Sequence, residues 1–285
     1  MRILVTNDDG IDSDGIHVLA RALDDTEHEV IVVAPDRDWS GAAAALGTLH
    51  PDVELGVQRV EIPDAPDVEA WSLAGPPALC VVAGRLGAFG DLPDLVVSGI
   101  NAGLNTGRAL LHSGTVGAAL AAQNFGISGL AVSVATSDPW QWESAATLAV
   151  EALGLVIDAP PRSVLNLNVP ALPRNEIPGM RWARLAPFGA VRAAITARSD
   201  DALQFELHPS GQEPAADTDQ GVVDRGWAAL TTVVGVVEAW PDDAALPGTA
   251  PVVGIDLVPG ADLHPVHRVP DASVHTFLRR PLLGS

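Results

Sequence analysis

Oxygen-bearing side chains collect just after the apolar runs of this chain. RILVT (2–6) leads into Asn7, Asp8 and Asp9. EVIVVAP (29–35) leads into Asp36 and, past a short loop, Ser40. PDLVVSG (93–99) contains Ser98 and leads to Asn101, with Asn105 four residues further on. Each run has the β-rich, uninterrupted character of a strand buried on both faces. Two neighbouring carboxylates at a strand end repel each other unless a cation or proton lies between them. Carboxylate, hydroxyl and amide oxygens with no thiolate suit a hard divalent ion such as Mg²⁺ or Mn²⁺, which keeps several waters and takes further ligands from a phosphate. The competing use of Asp8 and Asp9 is a turn that caps the following helix, and Ser40 and Asn101 taken singly serve as loop hydrogen-bonders.

HSGTVGAA (112–119) carries a different signal. Ser113 stands at a helix N-cap, Gly114 permits close approach, and the N–H groups through Thr115 face an anion with the helix dipole behind them. A capped core helix packed through Gly117 and its alanines fits the same string. His112 is placed either to donate a proton to a leaving oxygen or to fill space beside the loop, and Trp39 either to pack or to stack on a base. Cys80 sits in an apolar helix as an inert thiol, and His264 and His267 form an HxxH in a Pro-rich tail with no ligand set around it. GINAGLNTG lacks the GxGxxG spacing, which argues against an NAD-dependent oxidoreductase.

The elements that must position these residues alternate. A helix from Asp14 places Ile16, Leu19, Ala20 and Leu23 at helical spacing. Helices are also expected from residue 76, over 113–126 with Gly126 closing it, and over 143–156, with strands at 129–134 and 164–170. The pattern predicts an α/β fold: a Rossmann-like, mostly parallel sheet flanked by helices, with ligands outside the carboxyl ends of its strands. After Pro170 the chain turns polar and turn-rich, with RWARLAP and WAALTTVVGVVEA reading as strands, and a less regular C-terminal part containing antiparallel hairpins is expected. The expected division is a core over 1–175 carrying the metal and phosphate site, and an extension over 176–285 that returns partly to the core.

Composition narrows the chemistry. The chain has 285 residues, 47% hydrophobic and 18% charged, enough to bury a core. A formal charge of −20 disfavours binding to a nucleic-acid duplex. All 16 basic residues are Arg, which removes phosphate-loop ATPases, protein kinases and pyridoxal-phosphate enzymes, since each needs a lysine. A phosphatase with a covalent aspartate also wants a lysine, and a second Asp two residues on. The apolar runs break well before the ~20 residues of a membrane span. One cysteine and a start without a signal peptide's pattern lead to a cytoplasmic expectation.

ILVTNDDGI, APDRDWSGAA, PDLVVSGINAGLNTG and HSGTVGAA, in this order, resemble the SurE family, and NLNVP (166–170) and TDQGVVDRGWAALTTV are similar to its C-terminal half. The resemblance implies a phosphatase acting on nucleoside 5′- and 3′-monophosphates with one divalent metal ion per subunit, Mg²⁺ or Mn²⁺. By motif, the metal ligands fall on Asp8, Asp9, Ser40 and Asn101, and Asp8 or Asp9 orients or deprotonates the attacking water. Asn105 and the Ser113–Gly114–Thr115 turn hold the phosphate. It also implies a homodimer or homotetramer assembled through the extension. Four features depart from the family pattern: GAAAALG after Ser40, AGPPALC at 74–80 in place of a GTPADC-like string, His112 in place of Tyr, and Arg108 in place of an acid. They spare the four ligands and bear on substrate preference. They also leave a non-catalytic nucleotide or phosphate sensor as the alternative.

Overall fold

Strand β1 (Arg2–Thr6) is buried along its length because helices cover both its faces. Ile3 and Val5 join the core formed with α1 (Asp14–Asp24) and α4 (Trp142–Ile157), while Leu4 faces α2 (Pro77–Arg85) and α3 (Gly114–Asn124). Uninterrupted apolar strands follow from this two-sided cover. The computed structural model describes residues 1–187, 191–199, 201–209, 211 and 213–237.

Strands β2 (Glu29–Pro35), β4 (Ala65–Leu73), β5 (Leu95–Ala102), β6 (Ser128–Val134) and β7 (Val164–Val169) lie parallel with β1. β3 (Val57–Ile62) pairs antiparallel with β4; β11 (Ala228–Val233) pairs antiparallel with β7 and carries β8 (Met180–Trp182). The order is β3-β4-β2-β1-β5-β6-β7-β11-β8. β9 (Val191–Arg198) and β10 (Leu203–Pro209) form a separate antiparallel ribbon, followed by the short helix α5 (Asp219–Val223). The expected α/β class holds.

The order reverses at β1: the chain first builds outward through β2, then crosses back to place β5 on the other side. The crevice between the carboxyl ends of β1 and β5 is therefore the topological switch point where such sheets bind ligands.

Four strands went unrecognised in the sequence: β3, β4 and the two strands of the β9–β10 ribbon. VQRVEI (β3) is an edge strand with mostly exposed residues, and APDVEAWSL (β4) alternates buried and exposed positions, so neither is a continuous apolar run. Asp64, at φ +61, makes the turn between them. Among the described residues of WAALTTVVGVVEA, the strand runs from Ala228 to Val233; Val234, Val236 and Val237 are exposed. Gly126 does close α3, at φ +90. Among the described residues no helix is long and apolar enough to cross a membrane. His264, His267 and the extension beyond Val237 lie outside the described residues.

Gly154 sits exposed inside α4 with nothing within 4 Å of an added Cβ. Gly154→Ala should stabilise the fold by ~0.5–1 kcal/mol through helix propensity alone, read as a raised denaturation midpoint with unchanged m-value.

Candidate active site

Asp8 follows β1 and is 3% exposed. The Gly114 N–H donates to its Oδ2 at 3.0 Å, and the Thr115 hydroxyl donates to its Oδ1. That hydroxyl also lies 3.2 Å from Asn101 Oδ1, at the end of β5. One hydroxyl proton thus faces two acceptors that cannot donate to each other. Neither aspartate caps α1, whose N-cap is Ser13. Asp8 instead sits at the positive end of α3, more than a hundred residues away in the chain. Asn7 closes the turn below it, donating from Nδ2 to Gly10 O at 2.9 Å and Ser13 Oγ at 2.7 Å. Gly114 is required here, because a Cβ would stand 2.7 Å from Asp8 Cβ and Oδ2.

Asp9 is partly buried, and its Oδ2 is buried with no hydrogen-bond partner. Burial, the Asp8 charge and the more distant Asp38 charge push its carboxyl up to about 6, against a backbone hydrogen bond from Ala102. Burial also raises Asp8, against hydrogen bonds from Thr115 and the amides of the α3 turn. The loop after β2 reaches the same place: the Trp39 N–H donates to Asp8 O at 2.7 Å. Ser40 follows, exposed, its N–H donating to Asp38 Oδ1 at 2.7 Å. The loop then lies on α3, where a Cβ on Gly117 would meet Ala43 O at 2.2 Å. Gly117 therefore admits a loop. Arg37 stacks over the Trp39 ring at 4.8 Å from its centroid.

Asn105 is held from several sides. Its N–H donates to Asn168 Oδ1 (2.8 Å), its carbonyl accepts from Asn166 Nδ2 (2.8 Å) and Asn168 Nδ2 (3.1 Å), and its own Nδ2 donates to Ser133 Oγ (2.9 Å). A tight 3-10 turn (Gly107–His112) links it to α3 and leaves Arg108 and His112 exposed. Ser113 caps α3 by accepting from the Val116 N–H at 3.1 Å. The first-turn donors expected to face an anion have partners within the protein, chiefly Asp8. Cys80 is wholly buried in α2, its thiol pushed up by burial.

The structure gathers Asp8, Asp9, Asn101, Gly114 and Thr115 at the switch point, with the Ser40 loop bound to Asp8 through its neighbour. Asn166, Asn168 and the buried Asp219 were missed as supports for Asn105 and the turn after it. The available signal was a buried strand reading NLN: polar side chains in such a place must find hydrogen bonds.

Among the described residues no group of three or more His, Cys, Asp or Glu side chains is placed to hold a metal ion. The available donors are two carboxylates with an amide and hydroxyls. They fit a hard cation: Asp9 Oδ2 is a buried anionic oxygen without a partner, beside a second carboxylate.

A family profile described as "Survival protein SurE" matches residues 3–189. A 5′-nucleotidase SurE of Stenotrophomonas maltophilia (strain K279a) is 39% identical over 240 residues, covering 82% of this chain and 89% of that relative. A second, from Xanthomonas euvesicatoria pv. vesicatoria, is 38% identical with the same coverage. The crystal structure of SurE protein from Aquifex aeolicus superposes with a TM-score of 0.68 at 29% identity, covering 82% of this chain and 93% of that one.

Proposed function

The chain belongs to the SurE family and is a hydrolase of the 5′-nucleotidase type, and from that premise we propose that it cleaves nucleoside 5′- and 3′-monophosphates to nucleoside and phosphate, dependent on one Mg²⁺ or Mn²⁺ ion per subunit. The observation that carries this reading is the unpartnered, buried Asp9 Oδ2 beside Asp8, at the switch point shared with Asn101. Asp8, Asp9, Ser40 and Asn101 would hold the ion. Bound there, a divalent ion supplies Lewis-acid polarisation of phosphate and a lowered pKa for water.

The chain's own groups do the rest. Asp8 or Asp9 orients the attacking water and accepts its proton. Asn105 Nδ2 spends one hydrogen on Ser133 and has a second for a phosphate oxygen. The Gly114 N–H and Thr115 hydroxyl hold the Asp8 carboxylate in place, and the α3 dipole behind them favours negative charge at the site. Phosphorus is then attacked in line, in a site whose groups are fixed beforehand by bonds to the scaffold.

The test is inorganic phosphate release from a panel of nucleoside monophosphates with Mn²⁺, with Mg²⁺ and with chelator. Release that needs metal supports the reading. Nucleotide binding by folded protein without release would replace it by the sensor.

We also assign a homodimer or homotetramer built through residues beyond about Asn175, in the cytoplasm. The β9–β10 ribbon supports the assembly, since Ile195, Leu203 and Phe205 are more than half exposed on it. Exposed apolar side chains grouped on one small element mark an interaction surface. Light scattering at micromolar concentration should give at least twice the 29.5 kDa chain mass; a monomer removes this assignment.

A further inference from the structure

We infer that Asp219 is a positioning residue for the phosphate-binding loop. The inference rests on the reading of Asn105 as a phosphate-binding residue. Asp219 is wholly buried and lies 112 residues from Gly107 in sequence. Its Oδ2 accepts from the Gly107 N–H at 2.7 Å; its Oδ1 accepts from Ala186 N–H at 2.9 Å and Gln220 N–H at 2.8 Å. The next residue adds a fourth tie, with the Thr106 hydroxyl donating to Gln220 Oε1 at 2.7 Å.

These bonds grip the chain directly after Asn105. Asn166, Asn168 and Ser133 hold Asn105 itself from the sheet; Asp219 and Gln220 hold Thr106 and Gly107 from the other side. Gly107, at φ +57, then opens the 3-10 turn that ends next to Ser113. Attachment of α5 to the fold has a separate source: Val222, Val223 and Ala229 pack together with Leu104, Ala183 and Trp227. The Asp219 carboxylate therefore adds direction to a segment that apolar contacts already anchor. Its three donors require an acceptor on both oxygens, which an Asn cannot offer, since its NH₂ would oppose a backbone N–H.

The test compares the full-length wild type with Asp219→Asn, Thr106→Val and Gln220→Leu. Circular dichroism checks the fold. Calorimetry gives the affinity for Mn²⁺ alone, then for inorganic phosphate with Mn²⁺ present, and adenosine 5′-monophosphate serves as the substrate for kcat and KM. Asp219→Asn should weaken phosphate binding and raise KM by ~10-fold or more, with Mn²⁺ affinity held within about twofold and kcat changed less than KM. Thr106→Val and Gln220→Leu should move the same two constants by about threefold. Folded variants with phosphate affinity and KM unchanged overturn the inference, as does a parallel loss of Mn²⁺ binding, which would make Asp219 a general scaffold residue. If Asp219→Asn does not fold, the Thr106 and Gln220 variants decide by the same constants. A wild type that binds phosphate but releases none from nucleotides refutes the hydrolase reading, while the phosphate titrations still judge Asp219.

Discussion

Asp9→Ala should abolish metal-dependent phosphate release, lowering kcat by ~10³-fold or more, about 4 kcal/mol of transition-state stabilisation. The same position should show the opposite sign in stability. Its carboxyl is pushed up to about 6 in the fold, above the ~3.9 of an unfolded chain, because burial and Asp8 oppose its charge. Below about pH 4 both states carry the proton and Asp9 is neutral to folding. As pH rises through 6 the folded state gives up a proton it holds more tightly than the unfolded chain does, and stability falls. In chelator at pH 7.5, Asp9→Asn should therefore melt above wild type, by about 1–2 kcal/mol once partial exposure is allowed for, a few degrees in Tm. The gap should close by pH 4. Lost activity with gained stability is the expected mark of a residue kept for chemistry. Equal loss of both in thermal melts and phosphate assays would make Asp9 a structural residue.

Gly114→Ala should cost nearly as much through geometry alone. The added methyl would stand 2.7 Å from Asp8 Oδ2 and Cβ and 3.0 Å from Cγ, closer than Cβ atoms approach such groups. Asp8 has no room to retreat, since its carboxylate is tied to Thr115 and its backbone carbonyl to the Trp39 N–H. The carboxylate must swing away from the α3 turn, which separates it from Asn101 and breaks the Gly114 bond. A misplacement on the ångström scale costs ~10²-fold in rate. We expect kcat/KM to fall by about that factor and Mn²⁺ affinity to drop at least tenfold, with far-UV circular dichroism unchanged. Wild-type kinetics in this variant would show that Asp8 does not need its place at α3.

The parts of the site carried by strand ends were legible because their signals are local. RILVT before Asn7–Asp8–Asp9 and PDLVVSG before Asn101 are continuous apolar runs, and the residue that follows a buried parallel strand emerges at the ligand-binding edge. The parts fixed by distant contacts were not. HSGTVGAA reads as a turn open to an anion, yet the acid at its N–H groups is the chain's own Asp8, 106 residues earlier. No window around Ser113 contains that fact. Asn166 and Asn168 were read as strand residues, and their bonds to Asn105 span more than 60 residues. Asp219 lies in a polar stretch that resembles solvent-facing loop, although the residue is wholly buried. β3 and β4 escaped for a different reason: at the edge of the sheet one face meets water, so charged residues interrupt the apolar pattern.

The ties at Asn105–Gly107 also give the site an order of birth. During synthesis, the carboxylate pair, Asn101 and the first turn of α3 are all present once the chain has passed Asn124. The loop they serve acquires its sheet-side ties only with Asn166 and Asn168, and its last with Asp219 and Gln220. A growing chain can thus assemble the cation-attracting half of its site before it can hold a phosphate firmly. Full competence waits for residues near the far end of the described fold.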